Sequence, residues 1–188
     1  MITNYSPPRE GGRPRSFENG DVFRATASVL TRLGYGGLTL EAVAQEIGCS
    51  APAISKRFGS KQALVHSYLE WTLIAARERF RTARQSHASP LTALWARYLA
   101  PFEERPEELS AFAGWIDMRN DAMFGSLLQK RRRLWEREAA SMLAAAQKAG
   151  ELNACDTDEL ARAVTAALAG ATVLWSPDDG PLLARYAT

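Results

Sequence analysis

Cysteine and histidine are nearly missing from this chain, two of each in 188 residues. Cys49 and Cys155 fit no metal-ligand spacing and no disulfide framework. That pattern suits a reducing, cytosolic setting. His66 and His87 leave little material for histidine-based catalysis or a metal centre. Long apolar runs are absent too. None approaches the roughly 18–20 residues of a membrane span. Met1 to Gly12 has no apolar stretch, so no secretory signal is expected. HExxH, P-loop, GxGxxG and serine-elbow motifs are also lacking. No catalytic residue, metal or cofactor is therefore expected, and no membrane partner.

Charge of either sign is in small excess only. The net charge is +2, but it is unevenly placed. Residues 1–62 hold eight Lys/Arg against five Asp/Glu, and residues 63–188 hold fifteen against sixteen. An anionic partner for the N-terminal part fits that bias, as does a solvated surface. With 46% apolar and 23% charged residues the chain reads as a globular protein of one or two domains.

Two-residue alternation between hairpin turns is not found, whereas helical spacing recurs. Phe23, Ala27 and Leu30 share a face of a helix that Gly34 stops. Leu40, Val43, Ala44 and Ile47 mark a short helix capped by Thr39 and ended by Gly48. Ser50 caps a third, with Pro52 in its first turn and Ile54 and Phe58 on one side. Ser60 caps a long helix with Val65, Tyr68, Leu69, Thr72 and Leu73 inward. Leu91, Leu94, Trp95, Tyr98 and Leu99 mark the next, up to Pro101, and Pro106 opens another. A tract from about Asp121 to Ala149 carries Leu128, Trp135 and Met142 seven apart, and Asp156 caps a last helix toward Trp175. The expectation is an all-α protein of about nine helices. It has an N-terminal arm and three-helix unit over 1–62 and a second helical domain over 63–188.

The two short helices joined by Gly48-Cys49-Ser50 have the layout of a helix-turn-helix. The first is small and apolar, suited to support. The second is anchored by Ile54 and Phe58 and offers Ala51, Ala53, Ser55, Lys56 and Arg57 on its other side. Small residues near its start permit close approach to base edges, and an Ala methyl fits against a thymine methyl. Lys56 and Arg57 have the reach for phosphate or guanine. Thr39, Ser50 and Ser60 stand at helix starts, where free N–H groups and the dipole favour phosphate, and Lys61 adds a full charge. The plain alternative is an ordinary helical corner with a basic pair.

Residues 22–64 resemble the N-terminal DNA-binding domain of the TetR family of transcriptional regulators. The resemblance lies in Val22 to Leu30, in Gly34-Tyr35 with Leu38 to Ala44, in Gly48 to Ile54, and in Phe58-Gly59-Ser60-Lys61-Gln62-Ala63-Leu64. It implies Thr39, Lys56 and Lys61 as phosphate contacts, and Ala51, Ala53 and Ser55 facing the major groove. The family usually carries an aromatic residue, most often tyrosine, where this chain has Ser55. Gly12-Arg13-Pro14-Arg15 resembles the basic arm that many members place before the first helix.

One reading helix buries too little to select a site, so such modules work in pairs. Leu160, Val164, Leu168, Ala171 and Trp175 form a stripe flanked by small residues. The resemblance implies a homodimer through the two C-terminal helices. It also implies a cavity between the middle helices for a small-molecule effector. Trp71, Trp95, Tyr98, Trp115, Met118, Phe124 and Trp135 are the candidates for its wall, with ordinary core as the rival reading for each. The expected function is a ligand-responsive repressor on a palindromic double-stranded DNA operator. A protein–protein adaptor, or an enzyme without a recognisable motif, is the alternative.

Overall fold

A computed structural model describes residues 17–98, 118 and 121–174. Within them the chain is helical throughout. The helices are α1 (Asn19–Gly37), α2 (Leu40–Ile47), α3 (Ala51–Phe58), α4 (Lys61–Ser86), α5 (Pro90–Tyr98), α6 (Gly125–Lys148) and α7 (Thr157–Leu174). Seven helices are thus found among the described residues, where about nine were expected. The helix expected from Pro106, the arm at residues 12–15 and the tail after Leu174 lie outside them.

The starts and stops follow from identifiable groups. A capping box opens α1, with the Glu18 amide donating to Asp21 Oδ2 at 2.9 Å. Gly34 breaks the helix at φ 64°, as expected of a stop, but the chain resumes one more turn to Gly37 because the Leu38 amide reaches back to the Gly34 carbonyl. Thr39 accepts from the Ala42 amide at 3.1 Å and Ser60 from the Ala63 amide at 3.1 Å, so both act as the expected caps. Gly48, at φ 70°, takes the left-handed conformation that turns α2 toward α3. Asp156 Oδ1 accepts from the amides of Asp158 and Glu159 and starts α7.

Two cores result. The first gathers Val22, Phe23, Val29 and Leu30 of α1, Leu38, Val43 and Ala44, Ile54 of α3, and Leu64, Val65, Tyr68 and Leu69 of α4. Thr26 is buried there and donates its hydroxyl to the Val22 carbonyl at 2.8 Å, which removes the penalty of an unmade bond. Glu46 ties α2 to α1, accepting from Ser28 at 2.8 Å and Arg32 at 3.1 Å. These two bonds hold its carboxyl below the usual glutamate range.

The second core joins Phe80 and Ala83 of α4, Ala93 of α5, Trp135, Ala139, Met142 and Leu143 of α6, and Ala161 of α7. Phe80 and Trp135 meet edge to face at 5.4 Å between centroids. Small residues let α6 and α7 pack closely. The Gln147 amide donates to the Asn153 and Cys155 carbonyls and closes the turn between them. Glu151, in the expected Gly150-Glu151-Leu152 turn, accepts from the Ser89 hydroxyl at 2.9 Å and the Leu91 amide at 3.2 Å. That carboxylate docks the start of α5, where free N–H groups favour a negative charge. Helix α4, 26 residues and about 39 Å long, runs through both cores.

Candidate nucleic-acid interface

Helix α3 is held by one side only. Ile54 is fully buried, and Phe58 lies half-buried with its ring 5.8 Å from that of Phe23. The outer side carries Pro52, Ser55, Lys56 and Arg57, all exposed. Ala51 and Ala53 are half-buried, and Ala51 rests partly on the first core. Ser50 is exposed at the helix start, with its hydroxyl making no cap bond. The described residues therefore leave a short rod with a free hydroxyl and a free ammonium on its open face. Small side chains near its start add no bulk, so a backbone or base edge meets little steric resistance.

The cations expected here are not equivalent. Lys56 extends from the rod with no ion pair among the described residues. Arg57 is engaged: its guanidinium donates to the Phe17 carbonyl at 2.7 Å and lies 5.3 Å from the Phe17 ring centre. It fastens the entry of α1 to the end of α3. Lys61 is half-buried; its ammonium donates to the Gly36 carbonyl at 3.3 Å and sits 4.3 Å over the Tyr35 ring. Burial pushes its pKa below the usual lysine value. Thr39 is exposed, with its side-chain oxygen already accepting the cap bond, so it has a hydroxyl proton left to donate.

Tyr35 and Phe17 are the residues that sequence reasoning passed over. Both act on partners 26 and 40 positions away. Helical periodicity carries no signal for such contacts. Cys49, in the turn, is half-buried against the first core, and burial raises its thiol pKa. That disfavours the thiolate, the reactive form.

The aromatic and Met residues considered for an effector cavity do not gather in one place. Trp71 packs on Phe23 at 5.5 Å, and Met118 and Phe124 are buried with it in the first core. Phe124 meets Tyr35 edge-on at 5.4 Å. Trp135 belongs to the second core, and Trp95 stands 46% exposed on α5. Trp115 and the Tyr98 side chain lie outside the described residues.

A chain helical throughout its described residues, whose N-terminal unit is a helix-turn-helix with its second helix anchored on one side and open on the other, falls in the class of helix-turn-helix DNA-binding domains. The family follows from the sequence. Residues 22–68 match the model of the bacterial regulatory proteins of the tetR family, so this N-terminal unit is a tetR-type DNA-binding domain. No curated protein matches the chain. Solved structures share the fold over most of its length. A TetR-family transcriptional regulator from Agrobacterium tumefaciens has a TM-score of 0.74 at 15% identity, covering 88% of this chain and 90% of that one. The transcriptional regulator FadR from Bacillus subtilis, in complex with stearoyl-CoA, has a TM-score of 0.69 at 13% identity over 89% and 92%. The ketosteroid transcriptional regulator KstR2 of Mycobacterium tuberculosis has a TM-score of 0.60 at 19% identity over 90% and 86%. No helix among the described residues is long and apolar enough to cross a membrane.

Proposed function

We propose that this chain is a ligand-responsive transcriptional repressor that binds a palindromic DNA operator as a homodimer and leaves it when a small molecule binds. The observation that carries the reading is the anchored but open α3. Ile54 holds it from below while Ser55 and Lys56 stay exposed. Ser55 donates to a phosphate or base edge, Lys56 neutralises a phosphate, and Ala51 and Ala53 admit the duplex closely. Ser55 has neither the reach nor the ring of the tyrosine usual in the family, so Lys56 takes the larger share. Lys61 contributes from the start of α4 with one face of its ammonium already held by Tyr35. The reading has no catalytic step; the chain acts by binding in the cytoplasm.

Pairing through α6 and α7 is supported by the outer face of α7. Ala163, Ala166, Ala167 and Gly170 are exposed there in one row at helical spacing. Two reading heads about 34–36 Å apart then meet successive major grooves. An effector acts by binding more tightly to the form whose heads are wrongly spaced. The neighbour solved with stearoyl-CoA supports a small-molecule effector in this fold, and the regulatory half over 63–188 is its proposed seat.

Selecting a duplex from random DNA and measuring binding against salt tests the reading. The expected result is one enriched palindrome bound with a steep salt slope. Equal, weak binding to every duplex would overturn it.

A further inference from the structure

The seam between α4 and α6 is strongly basic. The two helices carry eleven Lys/Arg and four Asp/Glu, although the whole chain has a net charge of only +2. All four acids are already engaged. Glu78 pairs with Arg81, Glu138 with Arg84, Glu136 with Arg132, and Glu70 faces His66. Four of the other cations lie together. Arg77 of α4 and Lys130, Arg133 and Arg137 of α6 line one groove of about 360 Å³, with Leu73 beside them. Glu136 also reaches it, neutralised by Arg132.

Two further arginines stack on aromatic rings. Arg97 is buried with its guanidinium 5.0 Å from the Phe80 ring centre and 4.4 Å from that of Trp135. Arg131 lies over the same indole at 5.5 Å. Burial pushes the Arg131 pKa down, Tyr68 opposes this, and the like charges of Arg97 and Arg79 push it further down. A cleft lined by one sign of charge concentrates its field.

We propose that the α4–α6 groove binds a small anion carrying two or more negative charges, of the phosphate class. Arg77 and Arg133 offer paired N–H donors matched to phosphoryl oxygens. Lys130 and Arg137 add charge, and Leu73 gives an apolar edge for the body of a phosphorylated molecule. The volume falls within the roughly 300–1,000 Å³ of ligand clefts. The groove begins twelve residues along α4 from Lys61, about 18 Å up the helix. A DNA backbone lying on α3 is therefore a less suitable occupant than a free small anion.

Calorimetric titration of the full chain with inorganic pyrophosphate, at fixed ionic strength, tests the site. One ion per chain is expected. Arg77→Ala with Arg133→Ala weakens it at least tenfold, while Arg162→Ala on α7 does not. The pair Arg77→Gln with Arg133→Gln repeats the loss with less change in bulk, and an unchanged melting temperature verifies folding. ADP bound more tightly than pyrophosphate identifies a nucleotide-like source; equal affinities identify a free diphosphate. The proposal is overturned if pyrophosphate fails to bind, if both double variants bind as the parent does, or if Arg162→Ala weakens binding equally. No DNA enters the titration, so its outcome is independent of operator binding.

Discussion

Two lysines that look alike in sequence have different work. Lys56 reaches into solvent from α3, and Lys61 is held by Tyr35 and the Gly36 carbonyl. Lys56→Ala is expected to reduce the salt slope of operator binding by about one while leaving the melting temperature unchanged. Lys61→Ala should weaken operator binding and also lower the melting temperature, because it removes a contact between α4 and the end of α1. Fluorescence anisotropy against salt, beside thermal unfolding, separates the two outcomes. That both positions are basic, Lys56 toward the end of α3 and Lys61 at the start of α4, was readable from the chain. That Arg57 and Lys61 are engaged by Phe17 and Tyr35 was not, because those contacts form only once distant segments meet.

The turn between α2 and α3 was legible, because Gly48 and Ser50 are punctuation with a mechanism. So was the placement of Leu40, Val43 and Ala44, because a 3.6-residue period exposes the buried face. The long helices were less readable. The stripe Leu128, Trp135 and Met142 lies inward as its spacing suggests, but nothing in the stripe says which neighbour it meets. Its Trp135 finds Phe80 of α4, while Trp71 and Phe124 go to the other core. Ile54 is the one fully buried residue of α3, with Ala51 and Phe58 partly packed beside it. Ile54→Ala should cost about 2–5 kcal/mol, read as a lower denaturation midpoint, and should abolish operator binding under conditions where most of the chain is still helical. The small outer face of α7 makes a separate prediction. Ala167→Glu puts a charge in the row that Ala163 and Gly170 share, and sedimentation should change from a dimer to a folded monomer.

At the scale of the molecule the helix-turn-helix unit and the distal helices are not beads on a string. Leu64 to Leu69 of α4 belong to the first core and Phe80 to Ala83 to the second, on one uninterrupted helix. Phe124, just ahead of α6, reaches back to Tyr35, and Tyr35 in turn sits under Lys61. Two ring contacts thus connect the start of α6 with the start of α4. The expected boundary between the two units fell at the beginning of α4. The sequence could not reveal the sharing, since an amphipathic stripe looks the same whichever core receives it.

That continuous rod has a thermodynamic consequence. Chains made of separable modules commonly melt in stages. Here the first core cannot come apart without fraying the helix that also floors the second. Scanning calorimetry is expected to give one endotherm, with the van't Hoff and calorimetric enthalpies in agreement, and two resolved peaks would contradict it. Melting as one body also means that a ligand gripping only the distal half would raise the heat resistance of the reading head it never touches.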